Sequence, residues 1–188
     1  MEEIRLLSKE DIDVRVAQTN TYNNNGQKVV KVNLLLYKDA RVDQNILDET
    51  VTPKHWQKDY YEANGILFCK VGINVGALTG TYDTWVWKSD CGSESNIEAQ
   101  KGEASDAFKR ACFNWGIGRE LYTAPFVYVP ADKCNISNGK CFDKFAVERI
   151  KTVNKHIVGL SIVNMSLKTD NPKDKRCFVW KKEVSDNG

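Results

Sequence analysis

No stretch of this chain approaches the run of about eighteen apolar residues that a membrane helix needs. The N-terminus, MEEIRLLSKEDIDVR, is charged almost from its start. It has no apolar signal-peptide core, so secretion is not expected and a cytoplasmic setting is. Cysteine occurs at 69, 91, 112, 134, 141 and 177, but never as a CxxC pair. Histidine is scarcer still, with only His55 and His156. These absences favour free, reduced thiols over a disulfide frame. The spacing of Cys134 and Cys141 lets them meet across a loop, yet zinc there needs two further ligands. No zinc is therefore expected there. There is also no internal repeat and no low-complexity tract. A chain of 188 residues, 41% hydrophobic and 28% charged, is long enough for a sizeable core in one domain.

Net charge is nearly lacking as well, at +2. It is unevenly spread, however. Residues 1–94 hold 11 Lys/Arg against 14 Asp/Glu, and residues 95–188 hold 16 against 11. The C-terminal half is thus the one suited to face a polyanion.

Residues 12–20 alternate like a strand, and 27–38 are rich in β-branched and apolar side chains. TYNNNG between them carries the Asn and Gly that reverse a hairpin. Residues 43–50 read as a short helix that breaks near Pro53. ILFCKVGINV (66–75) and YDTWVWKS (82–89) form a second antiparallel pair joined through GALTGT. In the latter strand Tyr82, Thr84, Val86 and Lys88 share one face, and Asp83, Trp85 and Trp87 the other. A helix is expected from about 96 to 115, roughly 30 Å long, with Ser95 and Glu98 at capping-box spacing. Residues 122–142 read as loop and extended chain. Strands at 144–153, 156–167 and 176–182 make a C-terminal antiparallel meander. The fold class is α+β: antiparallel hairpins packed on one long helix, followed by that meander.

The long helix is the most informative segment. At about 100° per residue, Ala104, Ala107, Phe108, Ala111, Cys112 and Trp115 fall on one apolar stripe of mostly small side chains. Such a stripe lies close on a sheet. Gly102, Asp106, Lys109, Arg110 and Phe113 occupy the opposite side. Lys109 and Arg110 therefore project away from the sheet. One reading makes them solvated surface cations, with Asp106 pairing to Arg110 at i,i+4. Gly102 costs about 1 kcal/mol relative to alanine in a helix interior, a cost that close approach of a backbone or a ligand would justify. Gly116 and Gly118 suit a helix terminus.

The run KGEASDAFKRACFNWGIGREL resembles the signature helix of the Rad fifty-two family of single-strand annealing proteins, closest to the bacteriophage, Sak-type branch. ARVDQNILDETVTPKHW resembles the family's arginine followed by a short helix and an aromatic. ILFCKVGINV and TWVWKSDCGSES resemble the hairpin before the signature helix. The likeness covers roughly residues 5–125. It implies a family core over 1–125 and a C-terminal extension over 126–188 within a single annealing-protein domain. It also implies a non-enzymatic protein that forms oligomeric rings and holds single-stranded DNA backbone-inward in a basic groove. Complementary strands then anneal without ATP, metal or cofactor, in homologous recombination and DNA repair. The family's Lys-Arg pair aligns with Lys109 and Arg110, its arginine before the short helix with Arg41, and a further lysine with Lys101. Phe113 stands where eukaryotic members often carry a third basic residue, which weakens the backbone contact there or shifts it to stacking on a base. The long tail by which eukaryotic members recruit a recombinase has no counterpart, so that activity is not expected. A host or phage single-strand-binding protein is an expected partner in the bacterial cell; a membrane is not.

Other features add candidates. Lys70 and Lys88 on the hairpin strands are either further phosphate contacts or solvated strand faces. Tyr82, Trp85, Trp87 and Phe113 can stack on bases, although hairpin tryptophans also serve as core or subunit interface. Two rival functions remain open at this level. A basic helix on an antiparallel sheet suits RNA or a purely architectural ring. Asp83, Asp90, Glu94, Glu98 and Glu103 would suit a metal-dependent nuclease, but they follow no catalytic spacing.

Overall fold

The computed structural model describes residues 3–24, 27–92, 99–169, 171 and 173–182, without the side chains of residues 24, 27, 28 and 99–101. In chain order the elements are β1 (Asp13–Asn24), β2 (Gln27–Tyr37), α1 (Ala40–Val51), β3 (Trp56–Ala63), β4 (Ile66–Asn74), α2 (Val75–Thr79), β5 (Trp85–Cys91) and α3 (Ala99–Trp115). There follow β6 (Val127–Pro130), β7 (Ile136–Ser137), β8 (Lys140–Cys141), β9 (Phe145–Val153), β10 (His156–Asn164) and β11 (Arg176–Lys181). The expected mixture of helices and antiparallel sheets is present. The chain divides into two compact units, one of Met1–Leu6 and Asp39–Arg119, the other of Leu7–Lys38 and Glu120–Gly188.

In the first unit α3 packs on a three-stranded sheet ordered β3-β4-β5. The small-residue stripe lies where its periodicity puts it. Ala107, Phe108, Ala111 and Cys112 are buried, as are Cys69, Val71 and Ile73 on alternate positions of β4. The Trp115 indole donates to the Val71 carbonyl at 3.0 Å. The helix ends at Gly116, whose φ of 104° is open to glycine and strained for other residues. Ile117 N then donates to Cys112 O at 3.3 Å, and the Ile117 side chain is buried. That is a Schellman-type stop with its hydrophobic contact. The cap expected at Ser95 and Glu98 lies outside the described residues.

α1 starts from Asp39, whose side chain accepts from Arg41 N. The Trp56 indole donates to Asp48 Oδ1 at 2.7 Å, and its ring stacks on Phe108 at 6.2 Å. The arginine, short helix and aromatic of the sequence thus meet α3 as one cluster. β3 has no counterpart in the sequence reading. It is exposed along all but its two end residues, so no apolar alternation marks it. Its turn does carry a signal: Asn64 and Gly65 have φ of 55° and 75°, as a two-residue hairpin of type I′ requires. GALTGT contains the single helical turn α2 rather than a plain loop.

The second unit holds a six-stranded sheet ordered β11-β10-β9-β1-β2-β6. The C-terminal meander forms as expected, and the N-terminal hairpin joins it through Asp13↔Ala146 and Val14↔Phe145. The stretch 122–142 supplies an edge strand, β6, and the small hairpin β7–β8. The two edge strands β11 and β6 also touch, so the sheet is nearly closed. Val32, Leu34, Val127, Val129, Leu160 and Ile162 are buried in it. The buried Glu120 carboxylate accepts from Leu7 N at 2.6 Å, which satisfies an otherwise orphaned amide.

Glu148 Oε2 accepts from Arg176 Nε at 2.6 Å and from Ser161 Oγ at 2.9 Å. These bonds, the Arg176 ones first, lower the Glu148 carboxyl to about 2. A depressed carboxyl stabilises the fold above its unfolded value of about 4.3 and ceases to do so as pH falls through its folded value. Glu148→Gln should therefore flatten the loss of stability between about pH 4.3 and pH 2, read from urea midpoints across that range. Gly116→Ala should cost about 1–2 kcal/mol, read from the same unfolding curves at neutral pH.

Candidate nucleic-acid interface

Lys109 and Arg110 stand on the face of α3 turned away from the sheet core. Arg110 is exposed and Lys109 half-buried, while their neighbours Ala107, Phe108, Ala111 and Cys112 are buried. The Arg110 guanidinium reaches Asp90 Oδ1 at 3.3 Å, with 48% of its side chain still accessible. Asp90 raises the Arg110 value, with Asp106 adding to it. The partner expected from the i,i+4 spacing, Asp106, is thus joined by an acid from β5.

The N-terminus of α1 adds a third cation. Arg41 Nε donates to Asp39 Oδ1 at 2.8 Å, and 83% of the Arg41 side chain is accessible. The Asp39 carboxyl is held below its ordinary value, first by the side-chain and backbone hydrogen bonds from Arg41 and further by the charges of Arg41 and Lys109. Asp39 therefore lies within the field of both cations, which brings Arg41 and Lys109 together. Exposed ion pairs of this kind are worth about 0–1 kcal/mol. A phosphate can replace the acid at little cost. Asp39 was not legible as a site residue, although an aspartate two residues before Arg41 at a helix N-cap position was there to be read.

A second group gathers at the C-terminal end of α3. Arg119 Nε donates to Phe113 O at 2.7 Å and Arg119 Nη2 to Asn114 O at 2.8 Å. Its guanidinium lies over the Phe113 ring at 5.3 Å. The position that carries an aromatic in the sequence therefore has a cation above it, supplied from six residues downstream. Arg119 is exposed. The sequence reading missed it, and its cue was a basic residue directly after the Gly116–Gly118 exit. Lys88 Nζ also donates to Asn114 O, at 2.9 Å, and sits 4.5 Å from the centre of the Trp115 ring. Lys88 thus caps the helix end, where its charge complements the helix dipole.

Lys70 is not part of this cluster. Strand alternation puts it on the sheet face opposite α3. There it pairs with Asp59 at 3.2 Å and lies 5.0 Å from the Trp87 ring centre. That face is aromatic: Tyr61 stacks on Phe68 at 5.2 Å and Trp85 on Trp87 at 6.0 Å. Gly72 makes room for the Trp87 ring, since a Cβ there would lie 2.8 Å from it. Tyr82 is 94% exposed. Lys101 sits in the first turn of α3, and its side chain lies outside the described residues.

Of the acids considered for a nuclease, the three among the described residues hold structural contacts. Asp83 accepts from Asn74 Nδ2 at 2.9 Å, Asp90 pairs with Arg110, and Glu103 accepts from Leu67 N at 3.4 Å. Glu94 and Glu98 lie outside the described residues. Among the described residues, Cys134, Cys141 and Asp143 place their ligand atoms within 4.8 Å of one another. Asp143 supplies one of the two ligands that the cysteine pair lacked. Its carboxylate, however, already accepts from Asn135 N, Asn135 Nδ2 and Asn164 Nδ2. Burial, reinforced by Cys141 and Cys177, pushes the Cys134 thiol up to about 12.

An outward cationic helix on a closely packed sheet, with neighbouring acids as counter-charges, has the charge pattern that the backbone of a polyanion would need. The chain belongs to the Rad52/22 family of double-strand break repair proteins, whose model matches residues 6–135. It is also 37% identical over 94 residues to the single-stranded DNA-binding protein DdrA of Deinococcus radiodurans. That similarity covers 49% of this chain and 42% of DdrA, so the chain spans less than half of that relative. No solved structure matches it. No helix among the described residues is long and apolar enough to cross a membrane.

If Asp39 competes with phosphate for Arg41 and Lys109, Asp39→Asn should tighten binding of oligo(dT) by about threefold at low salt. Asparagine keeps the helix cap. Fluorescence anisotropy would measure the change, and weaker binding would contradict this role.

Proposed function

We propose that this protein binds single-stranded DNA through Arg41, Lys109, Arg110 and Arg119, and anneals complementary strands during recombinational repair. The observation that carries this reading is the outward placement of Lys109 and Arg110 on α3 beside the N-terminus of α1. The acids that neighbour these cations are ones a phosphate can displace. Family membership supports the repair setting, and the name of DdrA supports the single-stranded ligand.

The mechanism needs no bond chemistry. Cations on α3 and α1 neutralise consecutive phosphates and release counterions, with a salt slope of about −0.7 per phosphate contacted. Gripping the backbone leaves the bases directed outward for pairing with a second strand. The Phe113 ring, with Arg119 above it, offers a flat face to any base that turns inward. Lys88 supports the site by holding the helix end, and Lys101, which the family resemblance aligns with a further lysine, is a candidate contact in the first turn of α3. Lys70 belongs to a neighbouring aromatic face.

Annealing gains from repetition of the site, and the resemblance to ring-forming relatives favours a homo-oligomer. The aromatic face around Tyr61, Phe68 and Trp87 supplies apolar surface for contact between subunits. The signature run of α3 favours the bacteriophage branch, with a single-strand-binding protein as the partner that delivers the DNA.

Changing Lys109 and Arg110 together to alanine should abolish oligo(dT) binding and annealing of complementary oligonucleotides. Particle size by electron microscopy should stay the same. Unchanged binding in the double variant would overturn the site. Equal competition by RNA of the same length would overturn the DNA assignment in favour of an RNA-binding ring.

A further inference from the structure

The family match ends at residue 135, yet the second unit carries a groove of about 700 Å³ made wholly by β9, β10 and β11 and the residue after them. Its floor follows from strand register. Gly159 of β10 stands between Lys151 of β9 and Lys181 of β11. One step along, Ser161 stands between Arg149 and Val179. Residues two apart on a strand share a face, so Arg149, Lys151 and Lys181 rise on either side of a trough whose centre is a glycine and a serine.

Arg149, Lys151, Lys181 and Lys182 are all exposed. Arg176 also lines the groove, but Glu148 holds it. Glu148 is not itself a lining residue, but its carboxylate accepts from the Ser161 hydroxyl at the floor at 2.9 Å, so one acid, already paired with Arg176, adjoins the trough. Arg149 and Lys151 stand about 6.7 Å apart along β9, and Lys151 and Lys181 about 10 Å apart across β10. At Gly159 a Cβ would lie 3.3 Å from Lys151 Cβ. The missing side chain therefore keeps the middle of the trough low and the flanking lysines apart. Trp180 also lines the groove, but it pairs with the buried Leu160 and so stands at a strand position that faces the other side of the sheet from Lys181.

We infer that the β9–β11 groove is a second binding site for a nucleic-acid single strand, separate from the α3 surface. A trough with cations along both sides fits a chain that carries one negative charge per repeat. The site gives a purpose to the strands beyond the family match. It does not depend on the assignment of Lys109 and Arg110.

The test uses the full chain, with the triple variant R149Q/K151Q/K181Q beside K109A/R110A. Binding of fluorescent oligo(dT) is measured across a salt series. The triple variant should weaken binding about tenfold at moderate salt and reduce the salt slope by about 2, because three phosphates are no longer neutralised. An unchanged affinity and slope would overturn the inference, whatever K109A/R110A does. A loss in the triple variant with normal binding in K109A/R110A would sustain this groove and refute the α3 site. A triple variant that loses only binding of poly-glutamate, with oligo(dT) unaffected, would overturn it in favour of an acidic protein partner. Lysine acylation of the unmodified protein guards against misfolded variants. Saturating oligo(dT) should protect Lys151 and Lys181, and full reactivity of both would also overturn the inference.

Discussion

The site rests on how closely α3 lies against its sheet. Ala107, Ala111 and Cys112 are small enough to bring the helix axis down onto β4, and Phe108 fills the space beside Trp56. Close packing of this kind leaves no freedom to roll the helix. Burying one stripe commits the opposite one to solvent. The direction of Lys109 and Arg110 is therefore a consequence of alanine and cysteine on the other side, and larger inner side chains would move the cations as surely as mutating them.

That constraint also explains the company the cations keep. Asp39 caps α1 and Asp90 ends a strand beneath α3, so both acids are held by backbone structure beside the basic groups. They orient the guanidinium groups before any ligand arrives. They also keep net charge near neutral while leaving a local basic surface. On the proposed reading, binding is an exchange of one carboxylate for one phosphate rather than the capture of a strand by bare charge.

The helix and its two faces were legible because a period of 3.6 residues leaves a strong trace over seventeen positions. Strands β4, β9 and β10 were legible for a similar reason: each buries enough apolar residues to show an alternating or continuous run. β3 was hidden because WQKDYYEA is solvent-facing nearly throughout, and only Asn64-Gly65 betrayed it. The union of β1 with β9 was beyond reach, since nothing local to Asp13 names a partner 133 positions away. At the site, Lys109, Arg110 and Arg41 came from resemblance plus periodicity. Arg119 escaped because its role depends on a fold-back past Gly116 that spacing alone does not reveal.

The interleaving of the two units along the sequence bears on how the chain acquires its structure. The helix-bearing unit draws all but its first few residues from one continuous segment, Asp39–Arg119, and its sheet is built from adjacent hairpins. Such short-range pairing forms fast. The other unit must recruit an early hairpin and a late meander across that whole insertion before its sheet is complete. During synthesis its first hairpin waits with both edges unpaired, until β6 reaches β2 and β9 reaches Asp13 and Val14 of β1. Joining Leu7–Lys38 to the strands beyond Glu120 is then the long-range step of folding, and the free edges of β1 and β2 are where premature association between nascent chains has its opening.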